Sequence, residues 1–149
     1  MKFVYMVILG IILCGCGRSS SNKTAIAWRN DPEPIVLRFP ILKDSAAFIW
    51  RGELAGQSSC MSTPGPSAYR ISCFVEKLSF AISNRIDVSD LQPIVFPTDV
   101  AFPDSVKSAS TADWFSSEAI DKNLFNLKYQ GKAFYAPTFD LLYFDALWE

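Results

Sequence analysis

Prolines punctuate the short apolar runs of this chain. Asn30-Asp31-Pro32-Glu33-Pro34 precedes Ile35–Phe39, Pro40 follows it, and Pro97 and Pro103 close Ile94–Phe96 and Val100–Phe102. A proline lacks the backbone donor and biases the residue before it to extended backbone, which favours strands and turns over helices. Tyr69, Ile71, Cys73 and Val75 alternate with Arg70, Ser72, Phe74 and Glu76, the period of two of a strand, and Leu78, Phe80 and Ile82 continue it. Further strands are expected at Thr24–Trp28, Ile35–Phe39, Ile94–Phe96, Val100–Phe102 and Leu124–Tyr129. The last of these is expected to turn at Gln130-Gly131 into Lys132–Tyr135. Asp44 is placed to cap a helix over Ser45–Ala55, and a second helix is expected over Thr111–Ile120. Thr138–Glu149 is too apolar to lie solvated and suits a strand or a helix. Seven or eight short strands with one or two short helices predict a mainly β protein, a small β-sandwich.

Composition narrows the chemistry. The chain has 149 residues, half of them apolar, which suits one folded domain. Fourteen basic against fifteen acidic residues offer no surplus for nucleic-acid phosphates. With no histidine there is neither a Ser-His-Asp nor a Cys-His nucleophile system, and no imidazole metal ligand. Asp44 with Glu53, or Asp87 with Asp90, read as solvated surface acids. Ser20-Ser21-Asn22-Lys23 matches Ser-x-x-Lys by letter but falls in a polar tether. Trp50, Trp114 and Trp148 read as core. No cofactor, metal or small-molecule substrate is expected.

The start of the chain reads as an address. After Lys2, Phe3–Leu13 is apolar but for Gly10, too short for a membrane span and of the length of a signal-peptide core. Leu13-Cys14-Gly15-Cys16 resembles the lipobox of bacterial lipoproteins, with Cys16 as the lipidated residue; Cys14 fits poorly because Leu13 would then occupy the cleavage position. Cleavage after Gly15 leaves 134 of the 149 residues, with net charge −2 once Lys2 is lost. Residues 1–15 are thus the signal peptide, 16–23 the lipidated cysteine and its tether, and 24–149 one domain. Gly17, where an Asp would resemble an inner-membrane retention signal, favours an outer-membrane location facing the periplasm.

Two cysteines remain for that oxidising compartment, Cys60 and Cys73. They are expected to form a disulfide around Thr63-Pro64-Gly65-Pro66, contributing about 3 kcal/mol in the chain-entropy description. Two free buried thiols are the alternative.

Pro34–Phe48, with its proline, aliphatic run, Arg38, Leu42-Lys43 and Ala47-Phe48, resembles the opening strand of the outer-membrane lipoprotein of the type VI secretion system. Asp99–Asp104, Asp113-Trp114 and Leu127–Lys132 are similar to later segments of that family. The family's loop between its first two strands is longer; Asn30–Pro34 stands in its place, and the cystine loop and Thr138–Glu149 have no counterpart. The resemblance implies a transthyretin-like (immunoglobulin-like) sandwich without enzymatic activity. It also implies an adaptor that joins the outer membrane to the periplasmic domain of an inner-membrane secretion component. It places the partner contact at Trp28, Asn30, Asp31 and Pro32, with Thr63 and Pro64 as a second candidate, although Trp28 suits a core role equally. An immunity lipoprotein that blocks a periplasmic toxin, or a pilotin-like assembly lipoprotein, are the alternative readings.

Overall fold

The computed structural model describes residues 27–55, without the Ala55 side chain, and 68–148. Its strands are β1 (Ala47–Ala55), β2 (Ala68–Glu76), β3 (Gln92–Ile94), β4 (Trp114–Ser116), β5 (Tyr129–Ala136) and β6 (Leu141–Trp148). Three short helices, α1 (Glu33–Arg38), α2 (Phe80–Ser83) and α3 (Glu118–Leu124), join four 3-10 segments. The protein is mainly β, as the sequence predicts. Its strands make one antiparallel sheet in the order β1-β2-β6-β5-β4-β3.

Both faces of the sheet carry a core, so the layering is sandwich-like. On the first face Leu142, Phe144 and Ala146 of β6 meet Ile71, Cys73 and Val75 of β2 and Phe48 and Trp50 of β1. Ile35, Phe39, Leu42, Ile82, Ile120 and Leu124, from or beside the helices, close over them. On the second face Leu141 and Tyr143 meet Phe74, Phe134, Ala136, Trp114, Val106 and Ala109. Phe96 stacks there within 5.1 Å of both the Trp114 and Tyr143 rings. The apolar tail is thus a strand at the centre of the sheet. A strand covered on both faces needs a nearly continuous apolar run, which is what Leu141–Phe144 supplies.

Several local expectations are corrected. Of Ile35–Phe39, Ile35–Arg38 is helical rather than extended, and Phe39 is the C-cap. Pro32 is the N-cap of α1 and Pro34 lies in its first turn, where a missing donor costs nothing. Ile35, Phe39 and Leu42, spaced four and three apart, are all buried on one side. Residues 47–55 form a strand, not a helix capped by Asp44, because Phe48 and Trp50 point into the first-face core in register with Val75 and Cys73. Leu78–Ile82 is not a strand: Lys77 takes a positive φ of 51°, breaking β2, and the short α2 follows. Val100–Phe102 has no strand pairing, and Ile94 closes β3 rather than opening a strand. The helix expected over Thr111–Ile120 is β4 followed by α3, capped by the Ser117 hydroxyl. Of Thr24–Trp28, only Ala27 and Trp28 are described, and neither is in a strand.

The hairpin expected at Gln130-Gly131 is not formed. Leu124 ends α3, and a turn at Asn126–Tyr129, where the Asn126 side-chain carbonyl accepts from the Lys128 N–H at 2.8 Å, leads into β5, whose hairpin partner is β6 across Pro137–Asp140. Gly131 is inside β5 opposite Ala146, so close that a Cβ would run into the Asp145 carbonyl and the Phe125 ring. At Gly52 a Cβ would meet only the movable end of the Tyr69 side chain. Gly131→Ala is therefore expected to cost about 1–3 kcal/mol, and clearly more than Gly52→Ala, in denaturant unfolding. Equal midpoints for the two variants would contradict this packing.

Candidate functional site

The segment before α1 is built onto the sheet through Trp50. Arg29 and Trp50 exchange both backbone hydrogen bonds at 2.8 Å. The Trp50 indole N–H donates to the Asp31 carbonyl at 2.9 Å. The Arg29 guanidinium lies 4.7 Å from the centre of the Trp50 ring and reaches the Asp31 carboxylate at 3.2 and 3.3 Å. Arg51 stacks on Trp28 at 4.8 Å, and Trp28 packs on Phe74 at 5.5 Å. The Pro32 carbonyl then accepts from the Ile35 and Val36 N–H groups, opening α1. Residues 28–36 are thus tied to the sheet along their length.

This segment forms one wall of a groove of about 620 Å³, with Ala46–Ile49 as its floor and Pro103–Ser105 opposite. Of the expected contact residues, Trp28 is half-buried in that wall, Asn30 and Pro32 are exposed, and Asp31 is half-buried against Arg29. The structure therefore brings Trp28, Asn30 and Pro32 together on one groove. A second hollow of about 360 Å³ lies on the other side of Arg29, between α1 and Trp50, Tyr69 and Ile71. Cys16, Cys60, Thr63 and Pro64, and the tether, lie outside the described residues.

Of the expected disulfide, only Cys73 is described. Strand alternation turns its side chain into the first-face core, where it is wholly buried and, among the described residues, unpaired, its thiol directed to the Phe74 carbonyl at 3.5 Å. Burial pushes this thiol well above its usual range, which leaves it unreactive.

The carboxylates are structural. Glu53, far from Asp44 on the turn, flanks Arg70 at 4.0 Å, and Arg70 grips Asp145 through two nitrogens. Those hydrogen bonds raise the Arg70 pKa further above its ordinary value, against partial burial, so the guanidinium stays charged. Asp87 caps a 3-10 segment, and its bonds with Ser89 hold it below the usual carboxylate range. Burial raises Asp121, which nevertheless accepts the Ala133 N–H at 2.8 Å and ties α3 to β5. Among the described residues no three Cys, Asp or Glu gather to hold a metal. Trp50 and Trp114 are core, as expected, whereas Trp148 is 47% exposed. Sequence reasoning missed Arg51 and Trp50 as the groove's supports, because their role arises from register rather than motif.

Tyr143 gives a pH test of the second-face core beside the groove. Its hydroxyl is buried near Ser72 and makes no well-formed hydrogen bond among the described residues. Burial, reinforced by the Asp145 charge, pushes it up to about 12 from 10.0. The folded state holds this proton more tightly, so the associated stability is full below pH 10 and is lost as pH rises through about 12. Tyr143→Phe is expected to fold and to move alkaline unfolding, followed by circular dichroism, to higher pH. An unchanged alkaline midpoint would contradict it.

Comparison with protein-family models, with curated proteins and with solved structures finds no match for this chain; its site is characterised by its geometry alone.

Proposed function

We propose that this chain is a lipid-anchored, non-catalytic adaptor of the outer membrane, and that the groove beside residues 28–32 holds a protein partner. The observation that carries the reading is the pinned wall itself. Asn30 and Pro32 are presented to solvent by a segment that Trp50 fixes at two backbone atoms and one indole N–H. A wall that is already ordered loses little conformational entropy on docking, and its aromatic and arginine flanks are residue types that dominate interface energies. The partner in this reading is the periplasmic domain of an inner-membrane component of an envelope-spanning secretion complex. That assignment rests on the sequence resemblance, and the membrane location rests on the lipobox at Cys16.

The test is capture from membranes with the lipidated protein, the partner being identified by mass spectrometry. Asn30→Ala with Asp31→Ala is expected to lower recovery of the secretion component at least tenfold. Unfolding should shift by less than about 1 kcal/mol, because the Arg29–Asp31 pair is a surface ion pair and the Asp31 carbonyl that Trp50 uses is retained. Full recovery by the double variant would remove this wall from the interface. Recovery of a toxin instead would replace the adaptor reading with an immunity protein. Cys16→Ser should abolish acyl labelling, and an unlipidated wild-type protein would refute the anchor.

A further inference from the structure

We propose that the end of the sheet bearing Leu54, Tyr69 and Trp148 rests on the bilayer interface, so that the domain is oriented on the membrane as well as tethered to it. This rests on the lipid-anchor reading and adds to it a surface and an orientation.

The register draws the surface. Leu54 pairs with Tyr69, Tyr69 with Trp148, and Trp148 with Tyr129, a row across four strands on the first face. These are core-facing positions, yet Leu54 is 53% and Trp148 47% exposed. Leu127, at the turn beside Tyr129, is fully exposed, with the exposed Lys128 next to it. Tryptophan and tyrosine suit a membrane–water boundary because each has an apolar body and a polar group, and a lysine there meets anionic headgroups.

The path of the chain selects the bilayer as the occupant. Arg29 pairs antiparallel with Trp50, and that register sets Ala27 level with Gly52, two residues from Leu54. The described chain therefore begins at the end of the sheet that bears the row. Ten residues separate Ala27 from Cys16, a reach of at most about 35–40 Å. The lipid at Cys16 is then held within that distance of Ala27, where the described chain begins. The groove lies at the other end of β1, at Ala46–Ile49, about 20 Å from Leu54 along the strand. Seating the row on the membrane turns the groove toward the aqueous compartment.

The test uses the lipidated full chain in phosphatidylethanolamine–phosphatidylglycerol vesicles, with and without lipids brominated near the headgroup end of the acyl chains. Flotation and the mass of the Cys16 peptide report the anchor independently. The wild-type protein is expected to lose tryptophan emission to brominated lipid, and Trp148→Phe to lose most of that quenching. Trp50 and Trp114, each 4% exposed, provide the unquenched remainder, and Trp28→Phe in both backgrounds removes the half-buried fourth tryptophan from the signal. Leu127→Asp changes a side chain fully exposed among the described residues, so it is expected to leave folding intact and to reduce quenching of Trp148 by lifting this end. Protein that floats with the vesicles while Trp148 stays unquenched would overturn the inference and leave the anchor standing, including when a second copy covers the row. A Cys16 peptide without lipid would overturn both.

Discussion

For its first four residues β6 has no solvent face, and both cores are assembled on it. Leu142, Phe144 and Ala146 serve one side and Leu141 and Tyr143 the other. Fully burying one such large apolar side chain contributes about 1.5–3 kcal/mol, so a few residues of one strand hold α1 and α3 on one face and the Phe96–Phe102–Trp114 cluster on the other. Polarity returns at Asp145, where the second face is no longer covered and the carboxylate is held by Arg70. The β3–β4 ribbon is a lighter attachment, paired with β5 at Phe115–Tyr135.

Trp50 extends this framework to the groove. Its ring belongs to the first-face core, its backbone holds Arg29, and its indole N–H holds the Asp31 carbonyl. One residue thereby couples the fold to the surface assigned to partner binding. The aromatic row proposed to meet the membrane lies at the opposite end of β1, about 20 Å along the same strand from the groove proposed to hold the partner.

The sequence was legible where one period dominated. Tyr69–Val75 alternates without competition and is β2; the apolar tail left two choices, and its central position in the sheet decided for a strand. Residues 45–55 carry both periods: Ala47, Trp50 and Leu54 suit a helix, while Phe48, Trp50 and Leu54 suit a strand, and pairing with β2 decides between them. Ile35–Phe39 looked extended because its β-branched residues and flanking prolines outweighed the spacing of Ile35, Phe39 and Leu42. Gly131 was read as a turn residue, although what it supplies is close approach to β6. Of the site, the break before Ile35 was legible from Asn30–Pro34 and Trp28 stood beside it, although Glu33 and Pro34 open α1 rather than complete a turn. The supports Arg51 and Trp50, and the row from Leu54 to Tyr129, depend on which residues face each other across strands, which no local pattern encodes.

Native-state hydrogen exchange at single-residue resolution tests most directly whether the groove wall is part of the sheet. The Trp50 amide, bonded to the Arg29 carbonyl, is expected to exchange in the slowest class together with the Phe144 amide of β6. A Trp50 amide that exchanges as fast as those of the exposed Asn126–Tyr129 turn would mean that the segment opens independently. The pinned wall, and the binding role argued from it, would then be wrong.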